Sequence, residues 1–415
     1  MNSSASPAGR LLAGPSSLGA AASHASIRES NLALVTAELF HSGGGLSRAD
    51  LAQRTGLTKA TVSRLVRDLI EQGIVAEAVP EEAGTIGRPG TPLYPAANTL
   101  VGVGLEANAD RLLGSAVDLS GKVVASFQVS MDLVDSSSAE TLGLLAEHTA
   151  ALFAQLDEVG IRRLVGVNLG VPGIVDQATQ RVVYAPNLGW EDVYPGRYLA
   201  DLLGDLAFTV DNDANLQAIA MAGVSLAGQE PVPASFLYLT GDVGIGGALM
   251  RDGEVERGPH GWAGEIGHTS IEPDGPPCHC GSRGCLERYA GRKAILQAAG
   301  FPQDASTEDV LSALERGEPK VRAAIDRAAW ALGIGLANAI NLLDIDTVIL
   351  GTYLAPLTGW VIPGLTEQLD RRIIGRTAAD ITLLPAPIQD HPTAIGGALQ
   401  ALRAALGEPG SILAD

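Results

Sequence analysis

The chain of 415 residues contains three cysteines and no run of about 18 uninterrupted apolar residues of the kind that crosses a bilayer. The first scarcity excludes a disulfide-stapled scaffold, and the second excludes a transmembrane helix. The N-terminal stretch is rich in Ala, Ser and Gly, but prolines, glycines and polar residues break it before an apolar segment forms. Residues 1–26 are therefore expected to be a disordered leader, not a signal peptide. These absences predict a cytoplasmic protein with no membrane partner, in which thiols stay reduced and clustered cysteines favour a metal over a disulfide. The length predicts two or three domains, each large enough for its own core.

Positive charge is also scarce: 28 Lys and Arg stand against 47 Asp and Glu, a formal net charge of −19. Phosphate contacts need a basic surface, so the whole-chain balance argues against nucleic acid. The distribution of charge along the chain argues the other way. Residues 1–95 hold 8 basic and 8 acidic residues, and residues 96–415 hold 20 and 39, so all the excess acid lies in the second part. Between Arg48 and Leu69, Arg48, Arg54, Lys59, Arg64 and Arg67 outnumber Asp50 and Asp68 by three. A small basic element is carried by a large acidic body.

Two short helical patterns meet in that basic element at Thr55-Gly56-Leu57. Ser47 is placed to cap the first and Thr58 the second, and Val62, Leu65, Val66 and Leu69 form an apolar stripe at helical spacing. The opposite face carries Lys59, Thr61, Ser63, Arg64 and Arg67. This is the layout of a helix-turn-helix whose second helix enters the major groove. Gly73 to Glu77 and Gly84 to Tyr94 read as two strands around a Gly/Pro loop, a wing that would offer Arg88 to a minor groove or a phosphate. The alternative is a small helical interaction domain with an ordinary loop. Turn, caps, basic face and wing together favour DNA, with Thr58, Lys59, Thr61, Arg64, Arg67 and Arg88 as its contacts.

All three cysteines lie in one segment: Gly264-Glu265-Ile266-Gly267-His268 is followed by Cys278-His279-Cys280-Gly281-Ser282-Arg283-Gly284-Cys285-Leu286-Glu287. Thiols used as core filler would be scattered at apolar positions, whereas these lie among Gly, Pro and Ser. His268, Cys278, Cys280 and Cys285 supply one imidazole and three potential thiolates, the donor set of a closed tetrahedral zinc site. The spacing H-x9-C-x-C-x4-C, flanked by Glu265 and Glu287, resembles the signature of the ROK family, named for repressors, open reading frames and kinases. The resemblance implies that His268 binds zinc beside a sugar pocket and that Glu265 and Glu287 hydrogen-bond sugar hydroxyls. The N-terminal module also resembles the winged helix of ROK regulators, which the sugar kinases of that family lack.

Beyond Pro95, strands alternate with helices, which favours α/β layers. Strands are expected at Leu100–Leu105, Leu112–Val117, Leu164–Leu169, Leu206–Val210, Phe236–Leu239 and Thr347–Gly351, and helices over Ala139–Leu156 and Lys320–Leu343. By resemblance these form two lobes of the actin-like, ribonuclease-H-like fold: residues 96–213 plus 391–415, and residues 214–390 with the zinc loop, after a winged helix at 27–95. Asp211-Asn212-Asp213-Ala214-Asn215 follows a strand and opens a helix. In ROK kinases the aspartate at the Asp213 position is the general base toward a sugar hydroxyl. Asp and Asn equally favour helix starts as caps. The resemblance places Asn187, Asn212, Asp213, Glu265, His268 and Glu287 around a sugar.

The nucleotide half departs from the kinases. Their first phosphate loop, D-x-G-G-T, corresponds to Glu106-Ala107-Asn108-Ala109-Asp110, where both glycines are gone and a second carboxylate would repel a phosphate. The second, Thr240-Gly241-Asp242-Val243-Gly244-Ile245-Gly246-Gly247, gains Asp242, and Gly351-Thr352-Tyr353 replaces a glycine pair. Phosphoryl transfer depends on positioning the phosphates, so Asp213 reads as vestigial. The expectation is a regulator, not an enzyme, that binds operator DNA and a sugar or sugar derivative as a homodimer or dimer of dimers. The alternatives are an active ATP-dependent sugar kinase with a DNA-binding appendage, and a scaffold that docks a protein partner.

Overall fold

The computed structural model describes residues 24–78, 90–134, 136–161, 163–223, 232–375 and 380–407. The N-terminal module packs α1 (His24–His41), α2 (Arg48–Thr55) and α3 (Lys59–Glu71) against the hairpin β1 (Val75–Glu77) and β2 (Leu93–Pro95). Ser47 caps α2 in a reciprocal box with Asp50, Thr58 Oγ1 accepts from the Thr61 N–H to start α3, and Gly56 between them is left-handed at φ 72°. Those are the caps and the turn that the sequence predicts. Two corrections concern its beginning. Helix α1 is not among the elements expected from the sequence, and it starts inside the stretch 1–26 assigned to a disordered leader. Its apolar stripe, Leu32, Val35 and Leu39, is diluted by Ala, Thr and Glu, and only tertiary packing makes it a buried face. The rest of that leader, and the wing tip with Arg88, lie outside the described residues.

The body holds two five-stranded mixed sheets. The first has order β10-β6-β3-β4-β5, from β3 (Leu100–Asn108), β4 (Arg111–Asp118), β5 (Val123–Ser130), β6 (Arg163–Val171) and β10 (Phe208–Asn212). Helix α4 (Ser138–Glu158) covers it, joined by α5 (Gly196–Leu203). A small sheet of β7 (Ile174–Asp176), β8 (Arg181–Ala185) and β9 (Trp190–Val193) extends from it. Helix α6 (Asp213–Gly223) leads to the second sheet, β13-β12-β11-β14-β15. Its strands are β11 (Phe236–Thr240), β12 (Gly246–Arg251), β13 (Glu254–Val255), β14 (Thr347–Gly351) and β15 (Thr382–Pro385). Against it pack α7 (Glu287–Ala290), α8 (Arg292–Ala299), α9 (Thr307–Glu315), α10 (Pro319–Leu343) and α11 (Thr358–Arg372). The strand at Thr347–Gly351 is as expected, whereas β10 starts two residues later than Leu206. Among the described residues no helix is long and apolar enough to cross a membrane.

The last helix, α12 (Pro392–Gly407), returns to the first sheet. It lies so close that a Cβ on Gly104 of β3 would stand 1.8 Å from the Ala394 carbonyl oxygen, and one on Gly396 would stand 1.7 Å from that of Leu216 in α6. Glycine is required by that approach. Gly104→Val is expected to cost more than about 3 kcal/mol, the upper end for overpacking, because the obstacle is backbone and cannot turn aside. A thermal melt matching the parent would refute that packing.

One buried cluster joins the N-terminal module to the body. Leu32, Val35 and Leu39 of α1 and Val62, Leu65 and Leu69 of α3 share it with Leu100 and Val117 of the first sheet, Leu399 and Leu402 of α12, and Leu216 and Ile219 of α6. Helix α3 and the helix that begins at Asp213 thus belong to one continuous core.

Candidate functional site

Three motifs converge on the glycine-rich segment Gly244–Gly247, which turns β11 into β12. A Cβ on Gly246 would lie 3.5 Å from that of Ala214, the residue after Asp213. On Gly267 it would lie 1.8 Å from the Ile245 carbonyl oxygen, and on Gly244 it would lie 2.5 Å from Glu287 Oε2. Bare backbone at Gly267 and Gly244 lets the Glu265–His268 turn and Glu287 approach one segment, while Ala214 of the Asp211–Asn215 turn meets it at ordinary contact distance.

The three cysteines and His268 come together. Their ligand atoms all lie within 4.8 Å of one another, with Cys280 Sγ 3.7 Å from Cys285 Sγ and Cys278 Sγ 3.7 Å from His268 Nδ1. A tetrahedral ion at about 2.3 Å from sulfur and 2.0–2.1 Å from nitrogen spaces its ligands by about 3.6–3.8 Å, so the cluster fits a tetrahedral metal. His268 Nδ1 faces the cysteines, and its Nε2 is 3.8 Å from Glu265 Oε2. Glu287 Oε1 lies 2.8 Å from Cys278 Sγ. Burial and that carboxylate push the Cys278 thiol well above its ordinary range, and a bound cation is what makes a thiolate favourable there. Burial likewise raises the Glu265 carboxyl, against the pull of His268 and with the Glu287 charge adding to it.

The other predicted residues divide. Asn212 is a cap: its Oδ1 accepts from the Ala214 and Asn215 N–H groups, and its Nδ2 donates to the Gly173 carbonyl. The helix-start explanation accounts for those bonds. Asn187 is exposed in a short 3-10 turn, and no hydrogen bond joins it to the other five. Asp213 is buried. Its carboxyl is pushed up to about 8 by burial and by the carboxylates of Glu106 and Asp242, against the Ala214 N–H and Arg111. The raised value favours the protonated carboxyl, which can donate a hydrogen bond as well as accept one.

Arg111, which the sequence does not single out, stands among the carboxylates of Glu106, Asp110 and Asp242. Its Nη2 lies 2.8 Å from Glu106 Oε1 and 2.6 Å from Asp242 Oδ2, and its Nη1 lies 3.0 Å from Asp110 Oδ1. Asn108 Nδ2 donates to Glu106 Oε1 at 3.3 Å. Asp242 belongs to the second sheet's hairpin and Arg111 to the first sheet, so the cluster ties one lobe to the other. Thr352 Oγ1 accepts from the Gly241 N–H at 2.8 Å and pairs with Thr240 Oγ1, closing the Gly351–Tyr353 segment onto the Thr240–Gly247 turn. Asp211, equally inconspicuous in the sequence, is held by Arg257 Nε and Nη2 at 3.0 and 2.6 Å. The Arg111–Asp242 and Arg257–Asp211 pairs are not legible locally, since they span 131 and 46 positions.

A protonated acid among carboxylates fixes the sign of a pH effect. The carboxyl titrates near 4 unfolded and about 8 folded, so stability falls as pH rises through that window. Asp213→Asn is expected to melt higher than the parent by about 1–4 kcal/mol at neutral pH, with a gap that widens from pH 5 to pH 8. Equal melting of the two proteins across that whole pH range would refute the assignment.

On α3, Lys59, Arg64 and Arg67 are exposed and make no ion pair among the described residues, whereas Arg48 and Arg54 are tied to Glu77 and Glu38. Thr58 and Thr61 share a hydrogen bond at the helix start.

Fold and site define an α/β body of two mixed sheets with a Cys3His cluster, behind a winged helix-turn-helix module. A ROK family model matches residues 103–404 and a MarR family model residues 38–84. The chain belongs to the ROK family. It is 27% identical over 354 residues to the xylose repressor of Bacillus subtilis (strain 168), covering 85% of this chain and 89% of that protein. Similarity to the glucokinase of Halalkalibacterium halodurans, 28% over 251 residues, covers 56% of this chain and 75% of the enzyme. The crystal structure of a ROK family transcriptional regulator, a homolog of the E. coli MLC protein, superposes with a TM-score of 0.76 over 93% of this chain and 99% of that one, at 24% identity, and shares the fold.

Proposed function

We infer that this chain is a sugar-responsive transcriptional repressor that performs no phosphoryl transfer. The observation that carries the reading is the shared core: α3, α12 and α6 contribute to one cluster, and α6 begins at the buried Asp213. A sugar bound between Asp213 on one side and Glu265, His268 and Glu287 on the other biases how the two sheets sit, and α6 and α12 carry that bias to the winged helix. Asn187 and Asn212 complete the pocket in this reading, the second by shaping its turn. Zinc, held by His268, Cys278, Cys280 and Cys285, supplies structure: it fixes the loop that presents the imidazole and Glu287. Lys59, Thr61, Arg64 and Arg67, with Thr58 at the helix start and Arg88 on the wing, contact operator DNA. Operators are read two-fold symmetrically, so the working form is a cytoplasmic homodimer or dimer of dimers. The domains are then 27–95, 96–213 with 391–415, and 214–390.

The test is fluorescence anisotropy with DNA from upstream of the chain's own gene, alone and with each of a panel of monosaccharides. At least one sugar at millimolar concentration is expected to change operator affinity by more than about tenfold, the middle of the usual coupling range. Operator binding that no panel sugar alters would sink the sensing reading.

A further inference from the structure

Glu106 from β3 and Asp242 from the β11–β12 hairpin meet at Arg111 Nη2, 2.8 and 2.6 Å away, and both carboxylates bear electrostatically on Asp213 in the first turn of α6. Among the described residues Arg111 is the cation that reaches them, and its Nη1 and Nη2 are directed at Asp110, Glu106 and Asp242. One guanidinium against those three carboxylates leaves an excess of two negative charges before Asp213 is counted. Glu106 is fully buried, and its Oε2 has no hydrogen-bond donor. A hydroxyl meets acceptors here and can donate to them. A phosphate, with a charge of about −1.5 to −2 and only acceptor oxygens, meets carboxylates and a guanidinium already engaged.

We propose that the Glu106–Arg111–Asp242 cluster makes the cleft a sensor of the free, uncharged sugar and excludes that sugar's phosphate ester at the carbon facing Asp213. The proposal deepens the sensing reading above and rests on it. The ion cluster bridges the lobes where a nucleotide's phosphates would lie in a kinase, so the pocket needs no nucleotide to complete it. The protein then reads its ligand ahead of any ATP-dependent phosphorylation step that consumes the same sugar.

Titration calorimetry of the full chain decides it, with D-xylose, D-glucose and N-acetyl-D-glucosamine as probes, each beside its terminal phosphate ester, at pH 7.5. At least one free sugar is expected to bind more than about 100-fold tighter than its ester, the upper range of electrostatic discrimination by a few close like charges. Glu106→Gln combined with Asp242→Ser should narrow that ratio at least about tenfold. Asp242→Asn alone, which preserves shape if the double variant does not fold, should narrow it in the same direction. An ester that binds as tightly as its free sugar, or a ratio unmoved by the charge-removing variants, overturns the proposal and leaves sugar sensing intact. Silence toward every sugar of both classes removes the sensing reading, and this inference with it.

Discussion

Cys280→Ser is expected to purify without metal and to lose its response to sugar. The substitution tests the metal cleanly, because Cys280 is exposed while Cys278 and Cys285 are buried. Serine there opens no cavity in the core. Its Sγ lies 3.7 Å from that of Cys285, close to the edge of a zinc tetrahedron. Structural zinc contributes on the order of 10 kcal/mol or more in small metal-folded domains, and even outer-shell losses weaken metal binding by about 10–100-fold. Removing a thiolate should therefore exceed about 100-fold. His268 turns Nδ1 toward the cysteines and Nε2 toward Glu265, so losing the metal releases the imidazole from the pocket. Metal analysis should fall from about one ion per chain to nearly none, and sugar affinity should drop more than about tenfold. Operator binding without sugar should persist, because the core of the winged helix does not include the loop. Parental sugar affinity in a metal-free protein would separate the metal from the pocket.

Arg64→Ala, on the exposed face of α3, is expected to weaken operator binding about 5–150-fold, the equivalent of 1–3 kcal/mol for a base contact. Lys59→Ala should act more uniformly across sequences and reduce the slope of log affinity against log salt by about one, as a phosphate contact does. The difference follows from position. Lys59 begins the helix beside its Thr58 cap, whereas Arg64 projects from its middle, flanked by buried Val62, Leu65 and Val66. Removing either cation exposes no buried partner, so melting temperatures should stay with the parent. If Arg64→Ala, Lys59→Ala and Arg88→Ala all bind operator like the parent at physiological salt, α3 is not the recognition helix.

What the sequence made legible was local. Ser47, Gly56 and Thr58 announce two helices and the turn between them, because capping and left-handed φ act over three or four residues. The histidine and cysteines announce their cluster, because no other use of cysteine competes in this chain. The strand Thr347–Gly351 is readable as a short, fully buried run. What stayed hidden was made by distant partners. Arg111 looks like an ordinary strand residue until the fold brings Asp242 to it across 131 positions. Asp211 reads as one more polar residue in its turn until Arg257 arrives. Helix α1 lacks a strong pattern of its own and is fixed by α2, α3, β2 and α12. Asn212 shows the reverse limit: a sugar contact and a helix cap demand the same residue, and its visible bonds are those of the cap.

A regulator and a kinase part company in one mixture: full-length protein, labelled operator, an effective sugar and Mg-ATP, followed for DNA binding and for sugar phosphate together. For a regulator with this cleft, sugar alone changes operator binding, ATP changes neither this nor the affinity for sugar, and no sugar phosphate accumulates at millimolar substrates. Asp213→Asn should alter the sugar response and leave the indifference to ATP as it is in the parent. A sugar phosphate that forms with the parent and disappears with Asp213→Asn would contradict this, since it would show a working base and a working phosphate site where the structure places a buried carboxyl and an ion cluster.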